Sequence, residues 1–390
     1  MSANILLGVT GGIASYKILS AASKLYKLDY NIYTVMTDSA AEFVSPLAFQ
    51  SITHLPVETD LFSSRNNEVK HIELADQADV FLIAPATANF IAKAAAGMAD
   101  DLLTTVLLAV QAPILIAPSM NVHMFENKAV QRNMKTLEEM GYKIITPDEG
   151  YLACGYTGKG RLPEPETLVE YVEKELSPKD LKGKKVLVTA GPTREKLDPI
   201  RFLSNYSSGK MGYALARAAS YRGADVTLVS GPTDLKTPIG VDVHSVESAS
   251  EMKKEVLKNF DSQDMVFMAA AVADYRPKSI SHNKIKKSDS KAEIELMRTD
   301  DILMEMGKKK REDQLLVGFA AETENIINNA SIKLKKKNAD YIIANDVSSN
   351  DSGIASDFNR VTILSNTEKK ELPLKNKDEL ADDIIDYIKP

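Results

Sequence analysis

KVLVTAGPTREKLDPIRFLSNYSSGKMG, residues 185–212, reads as a buried strand over Val186–Ala190, then a long loop of Gly, Pro, Ser and Asn, then a helix opened by Ser207-Ser208-Gly209-Lys210. A strand that ends in small residues and feeds a helix N-terminus suits a phosphate group. Free backbone N–H groups and the helix dipole both point at an anion there. Before residue 178 the chain has already run one complete α/β pattern, so this stretch starts a second. Two nucleotide-type sites on one chain predict two linked reactions.

Composition narrows the class. With 390 residues the chain is long enough for two or three domains, each with its own core. A net charge of −6 argues against a general binder of nucleic acid or membrane surfaces. The single cysteine, Cys154, excludes an intramolecular disulfide and an all-cysteine metal site, which suits a reducing compartment. No apolar run approaches the ~18–20 residues of a membrane span. The first residues lead straight into a strand, without the pattern of a signal peptide. The expected setting is the cytoplasm.

In the first half, Asn4–Val9 is a continuous apolar run, and Gly11-Gly12 turns it into a helix starting near Ser15. Further strand-like runs lie at Tyr30–Met36, Asp79–Ala84, Pro113–Ala117 and Tyr142–Thr146, with helical stretches between them. Strands apolar on both faces belong to a parallel sheet covered by helices, where ligands collect at the carboxyl ends. The segments after those ends are Thr10-Gly11-Gly12-Ile13-Ala14-Ser15, Met36-Thr37-Asp38-Ser39, Ala84-Pro85-Ala86-Thr87-Ala88-Asn89 and Ala117-Pro118-Ser119-Met120-Asn121. Each alone reads as a cap or turn. Four at consecutive strand ends predict a site for a phosphate and a flat polar ring. His71, in a polar stretch before the Asp79 strand, is a candidate base. Asn121 is placed to hold a carboxylate or amide. Cys154 sits in the glycine-rich, aperiodic segment LACGYTGKGR, which reads as a mobile lid.

GVTGGIASYK, HIELA, APATAN, GMADDLL, PSMN and LACGYTGKGRLPEP together resemble the flavin-dependent phosphopantothenoylcysteine decarboxylases of coenzyme A biosynthesis, over nearly all of residues 1–178. The resemblance implies a flavodoxin-like domain binding FMN at a trimer interface. By motif position the FMN contacts are Gly11, Gly12, Ser15, Thr37, Ser39, Ala86, Thr87, Ala88, Asn89 and Thr104. It implies a catalytic histidine at His71, a substrate-holding asparagine at Asn121 and a lid cysteine at Cys154. Phe125 stands where the family usually has Trp, keeping an aromatic face. The implied chemistry explains these residue types. Direct loss of CO₂ from an acylated cysteine leaves a carbanion without an electron sink, whereas oxidation of the thiol to a thioaldehyde supplies one. Decarboxylation then gives an enethiol, which must be reduced back. His71 would assist thiol deprotonation, Asn121 position the carboxylate, and Cys154 give the final proton.

Ser177-Pro178-Lys179-Asp180-Leu181-Lys182-Gly183-Lys184 is polar and helix-breaking, and places the domain boundary between 178 and 179. The second half, 179–390, restarts strands at Lys185–Ala190, Ala224–Val229, Asp264–Val272, Leu315–Phe319 and Asp340–Ala344. Arg360–Leu364 reads as a β-rich piece and Lys377–Ile388 as a closing amphipathic helix. The fold class is therefore α/β, with two doubly wound, mainly parallel-sheet domains. Lys333 and Lys337, four apart, share a helix face. By themselves they read as a solvated basic face, and Lys284–Lys287 as a basic loop.

This half resembles the phosphopantothenate–cysteine ligases, a Rossmann-like domain, through the 185–212 stretch, AAAVADYRP, KIKK, VGFAAET and ADYIIANDV. The resemblance implies CTP as co-substrate, a divalent cation such as Mg²⁺ on Asp274, and dimeric ligase contacts. CTP contacts fall on Met268, Ala269, Ala270, Asp274, Lys284, Asp300, Asp301, Ile302, Leu303, Phe319, Lys333 and Lys337. Attack of 4'-phosphopantothenate on CTP would give an acyl-cytidylate, from which L-cysteine displaces CMP, with Asn205 orienting that step. Trimeric and dimeric contacts together imply a homo-oligomer, a dodecamer. Two other readings stay open on the sequence: a flavin-binding regulatory protein, and a flavin prenyltransferase, which needs neither HIELA nor a ligase domain.

Overall fold

The computed structural model describes the chain except residues 1, 63–69, 152–154, 287–292, 323, 347–355 and 390. Cys154 and Lys287 thus lie outside the described residues. The chain divides into two compact units, Met1–Ser177 and Pro178–Pro390. Among the described residues no helix is long and apolar enough to cross a membrane.

The strands of the first unit are β1 (Asn4–Val9), β2 (Asn31–Met36), β3 (Val57–Glu58), β4 (Val80–Ala86), β5 (Ile114–Pro118) and β6 (Lys143–Ile144). They form one sheet in the order β3-β2-β1-β4-β5-β6, and every pairing is parallel. Side chains alternate across it: Ile5, Leu7 and Val9 join the core on one face and Leu6 joins the other. Helices close both faces. Helix Ser15–Lys27 buries Ser15, Ile18, Ala21, Ala22 and Leu25, the spacing of one helical stripe. Each large aliphatic chain so buried contributes about 1.5–3 kcal/mol. A hairpin, β7 (Asp148–Tyr151) with β8 (Thr157–Arg161), follows the sheet. Of the stretch read as aperiodic, Thr157–Arg161 is a strand; the lid reading itself falls on Cys154, outside the described residues.

The second unit contains β9 (Lys185–Ala190), the small hairpin β10 (Arg194–Lys196) and β11 (Phe202–Ser204), then β12 (Asp225–Ser230), β13 (Val241–Ser245) and β14 (Met265–Met268). A second ribbon pairs β15 (Tyr275–Pro277) with β16 (Leu296–Arg298). The chain continues through β17 (Leu315–Glu322), β18 (Tyr341–Asp346), β19 (Phe358–Leu364) and β20 (Lys369–Asn376). The main sheet runs β13-β12-β9-β14-β17-β18-β19-β20. It is parallel as far as β18, and its last two pairings are antiparallel. The expected strand Asp264–Val272 stops at Met268, beyond which the backbone leaves the ladder: the Ala270 N–H donates to the Thr189 hydroxyl (3.1 Å). The closing helix, Lys377–Ile388, stands where the periodicity put it.

In both units the strand order reverses beside the first strand, at β1/β4 and at β9/β14, which opens a crevice above the carboxyl ends. A threonine stitches each crevice. Thr10 donates to the Pro85 carbonyl (2.7 Å) and accepts from the Thr87 N–H (3.1 Å), and Thr189 accepts from Ala270.

On the edge strand β13, His244 lies 2.9 Å from Asp242 and 2.6 Å from Glu255. Its pKa is raised, first by the hydrogen bond to Asp242 and then, against burial, by Glu255. The folded state therefore holds this proton more tightly than the unfolded chain, so the stabilisation is fully present below about pH 6.5 and is lost as pH rises through the raised value. The melting temperature of His244→Gln should fall below that of the parent at pH 6 and approach it at pH 8.5. An equal deficit at both pH values would contradict the assignment.

Candidate active sites

The crevice of the first unit is a cleft of about 690 Å³. Of the residues singled out in the sequence, Gly11, Thr37, Ser39, Thr87, Ala88 and Asn89 line it. Thr37 and Thr87 are N-caps, accepting from the Ala40 and Phe90 N–H groups, so two helices start at the wall of the cleft. Gly11 is required by packing, since a Cβ there would overlap Ser39. Lys93 brings positive charge, held by Asp100 (2.8 Å) and Asp101 (3.7 Å). Its pKa is raised, chiefly by the bond to Asp100.

Gly12, Ser15, Ala86 and Thr104 are not among the lining residues. The Ser15 hydroxyl turns inward to the Gly12 and Thr10 carbonyls (2.6 and 3.1 Å). Thr104 is fully buried in a capping box with Asp101. Ala86 is a buried member of β4, its carbonyl accepting from the Ser119 N–H (3.0 Å). His71 is half-buried in the first turn of helix Lys70–Gln77 and is also absent from this wall. Asn121 caps the short helix Val122–Phe125, its side-chain oxygen accepting from the His123 N–H (2.8 Å), and Met124 of that helix reaches the cleft.

The hairpin is seated on this asparagine loop. The Met120 N–H donates to the Gly160 carbonyl (3.0 Å), and a Cβ on Gly158 would lie 2.6 Å from Val122. The rings of His123 and Tyr156 meet edge-on at 5.1 Å. Tyr156 is two residues beyond Cys154 in the chain. Sequence reasoning missed the wall Thr59–Phe62, because β3, the two-residue strand that delivers it, carries no periodicity.

The second crevice, about 530 Å³, is lined by Met268, Ala270, Asp274, Asp300, Asp301, Ile302, Leu303, Phe319, Lys333 and Lys337. Lys333 donates to the Phe319 carbonyl (2.6 Å). Asp301 caps helix Ile302–Lys309 through the Met304 N–H (3.0 Å) and pairs with Lys337. Burial lowers the Lys337 pKa, while the charge of Asp274 pulls it up. Thus the helix Ile326–Lys337 presents cations to a wall of carboxylates, and the basic-face reading of the lysines gives way to a site. Lys336 and Arg298 line it as well. The i+3 spacing from Lys333 was the available signal for Lys336.

Ala269 and Lys284 are not among the lining residues. Lys284 is exposed beside the β10–β11 hairpin, where the next residue, Ile285, donates its N–H to Asp198 (3.1 Å) and accepts from Arg201 (2.6 Å). Asn205 reaches the rim: its amide donates to the Ala271 carbonyl (2.9 Å), between two lining residues.

Residues 1–177 match the family model described as Flavoprotein, and residues 181–390 match the DNA/pantothenate metabolism flavoprotein C-terminal domain. The chain is 51% identical over 391 residues to the coenzyme A biosynthesis bifunctional protein CoaBC of Bacillus subtilis (strain 168), covering 99% of this chain and 96% of that protein. It is 42% identical over 389 residues to the protein of that name from Escherichia coli (strain K12), covering 98% and 96%. A solved structure of the C-terminal domain of a CoaBC protein is 47% identical, covers 54% of this chain and 96% of that one, and superposes with a TM-score of 0.46. With both family models and relatives aligned end to end, the chain belongs to the coenzyme A biosynthesis bifunctional proteins, enzymes that carry a flavoprotein decarboxylase and a ligase on one polypeptide.

Proposed function

We propose that residues 1–178 are an FMN-dependent phosphopantothenoylcysteine decarboxylase and residues 179–390 a CTP-dependent phosphopantothenate–cysteine ligase. The carrying observation is the pair of clefts, each above the switch point of its own sheet.

FMN fits the first cleft by its donor set. Capping hydroxyls at two helix N-termini, the Asn89 amide and Lys93 suit a phosphate and a polar ring. When bound, FMN supplies the electron-pair chemistry that decarboxylation of an acylated cysteine needs. Gly11, Gly12, Ser15, Thr37, Ser39, Ala86, Thr87, Ala88, Asn89 and Thr104 hold or shape that site. Asn121, its rotamer fixed by the capping bond, orients the substrate carboxylate; His71 takes the thiol proton, and Cys154 returns the last one. His71 stands off the cleft of its own chain, and Ile13, Leu47, Phe62 and Met124 are exposed apolar residues of this unit. Both features support a trimer whose contacts complete the site.

In the ligase half, Lys333 and Lys337 with the Asp300–Leu303 turn hold CTP. Mg²⁺ fits Asp274 because this ion takes one or two carboxylates and completes its shell with substrate phosphates. Among the described residues no group of three His, Cys, Asp or Glu is arranged to cage a metal alone. Asn205 orients the acyl-cytidylate for attack by cysteine. Lys284 is exposed, as are Ile200, Phe202 and Ile280 of the same unit, which supports a dimer contact in this unit. Trimer and dimer contacts together build a dodecamer. Its partners are 4'-phosphopantothenate, L-cysteine and CTP, and we place it in the cytoplasm.

Purified protein should be yellow, release FMN on denaturation, and convert phosphopantothenate, cysteine and CTP to phosphopantetheine with CMP, pyrophosphate and CO₂. His71→Asn should slow decarboxylation by about a hundredfold or more with the ligase step intact. Colourless protein that makes no phosphopantothenoylcysteine would overturn the reading, and flavin binding without turnover would favour a regulatory role.

A further inference from the structure

Asp198 lies in the turn between β10 and β11 and is only 1% exposed. Five N–H groups converge on its carboxylate. Oδ1 accepts from the Ile200 and Arg201 backbone (2.8 Å each), and Oδ2 from Arg201 Nε (2.9 Å), Arg201 Nη2 (2.5 Å) and the Ile285 backbone (3.1 Å). The Arg201 guanidinium holds this carboxyl well below the usual carboxylate range; burial opposes it, and the three backbone donors lower it further. Four of the donors belong to the turn itself. The fifth comes from the residue that follows Lys284. That segment is tied to the same turn at two further points: the Ser281 N–H donates to the Leu197 carbonyl (3.0 Å), and Arg201 Nη2 to the Ile285 carbonyl (2.6 Å). Lys284 thus sits between two anchors. The other arm of the turn runs through β11 to Asn205, whose amide donates to the Ala271 carbonyl at the cleft rim (2.9 Å). No core is built by this arrangement, because Lys284 and Lys286 are exposed and Ile285 is 40% exposed. A fully satisfied buried carboxylate therefore holds a surface segment, and what it fixes there is the place of one lysine.

We propose that Asp198 is a positioning residue of the ligase, which sets the backbone of Lys284 against the hairpin that leads to Asn205, so that the two enter the reaction as one unit. The inference rests on the ligase reading above, in which Lys284 contacts CTP and Asn205 orients the acyl-cytidylate. Asp198 itself touches neither substrate. Only an ionised carboxylate offers acceptors on both oxygens; an amide in its place would turn an NH₂ group toward N–H donors. Without the clasp, the segment carrying Lys284 would have to be ordered afresh in each turnover, at a cost in backbone entropy. With it, the lysine is held in place before the triphosphate arrives.

The test is a double-mutant cycle in the full-length protein, reading pyrophosphate release from CTP and phosphopantothenate, with CTP affinity measured by titration. Asp198→Asn should slow release by about a hundredfold, the effect of moving a catalytic group by an ångström, and leave CTP affinity within about threefold. Lys284→Gln should slow it by a similar factor. The double variant should be no slower than Lys284→Gln alone, since Asp198 acts through that lysine. Ile285→Pro removes the one backbone donor that links the segment to Asp198 and spares the bonds within the turn. It should reproduce the loss, and it carries the test if Asp198→Asn does not fold. Losses that add in full in the double variant would overturn the proposal, because Asp198 would then act only by holding the fold of the hairpin. So would parental release by Ile285→Pro, or by Lys284→Gln in a protein that still ligates. A parent protein that makes no phosphopantothenoylcysteine at all would sink the ligase reading, and the proposal with it.

Discussion

Gly307→Ala is expected to weaken CTP binding, and with it ligation at limiting CTP, by about a hundredfold while leaving the first half untouched. Gly307 lies on helix Ile302–Lys309, and a Cβ there would overlap the carbonyl oxygen of Lys337 and sit 2.9 Å from its carbonyl carbon. Both are backbone atoms at the C-terminal end of the lysine helix, so neither can swing aside. The Asn338 amide also donates to the Gly307 carbonyl (2.7 Å), pinning the two helices at this spot. One helix carries Ile302 and Leu303, and the other carries Lys333 and Lys337. A methyl group inserted between them prises open the nucleotide cleft and strains the Asp301–Lys337 pair. Overpacking of this kind costs about 1–3 kcal/mol. Misplacing both walls should weaken CTP by about a hundredfold, close to 2.7 kcal/mol. Titration with CTP checks the first claim, and turnover of supplied phosphopantothenoylcysteine checks the second. Parental CTP affinity would show that the helices can slide apart without cost.

The mirror experiment disables the other half. Gly160 has φ +131°, and a Cβ on it would overlap the Met120 carbonyl oxygen. Gly160→Ala therefore strains the backbone and lifts β8 from the asparagine loop, breaking the Met120–Gly160 hydrogen bond and the His123–Tyr156 contact. The residues proposed to hold FMN follow β1, β2 and β4, away from this contact, so the protein should stay yellow and keep its ligase activity. Decarboxylation should drop by about a hundredfold, the usual effect of moving a catalytic group by an ångström. If the reading of Cys154 as final proton donor holds, the already decarboxylated enethiol should accumulate ahead of that step. A variant with full decarboxylase turnover would show that hairpin registration does not matter.

Both sheets were legible because their strands are long and apolar on both faces, a pattern with few alternatives. Val80–Ala86 is buried along its whole length and could hardly be misread. The clefts followed, since a doubly wound sheet has one place to put a ligand. What stayed hidden was delivered by short or irregular backbone. The two-residue β3 sets the Thr59–Phe62 wall, and the antiparallel pairing of β7 and β8 is masked by three glycines. Motif resemblance put Lys284 in the nucleotide site, yet a motif records neighbours in a working assembly, and the cleft of a single copy does not contain it.

The closing helix carries one more consequence. Leu380, Ala381, Ile384, Ile385 and Ile388 belong to the same buried cluster as Val186, Val188 and Leu215. Arg222, 2% exposed, bonds to Asp180 at the start of the unit (2.8 Å) and Asp386 at its end (2.8 Å). The second unit is therefore closed only when helix Lys377–Ile388 docks, whereas the first has all its strands once residue 177 emerges. During synthesis the decarboxylase half folds while its neighbour is still open, as domains made in succession do. A chain cut before Lys377 should still take up flavin but fail to complete a ligase. Ligation thus reports that the closing helix is docked.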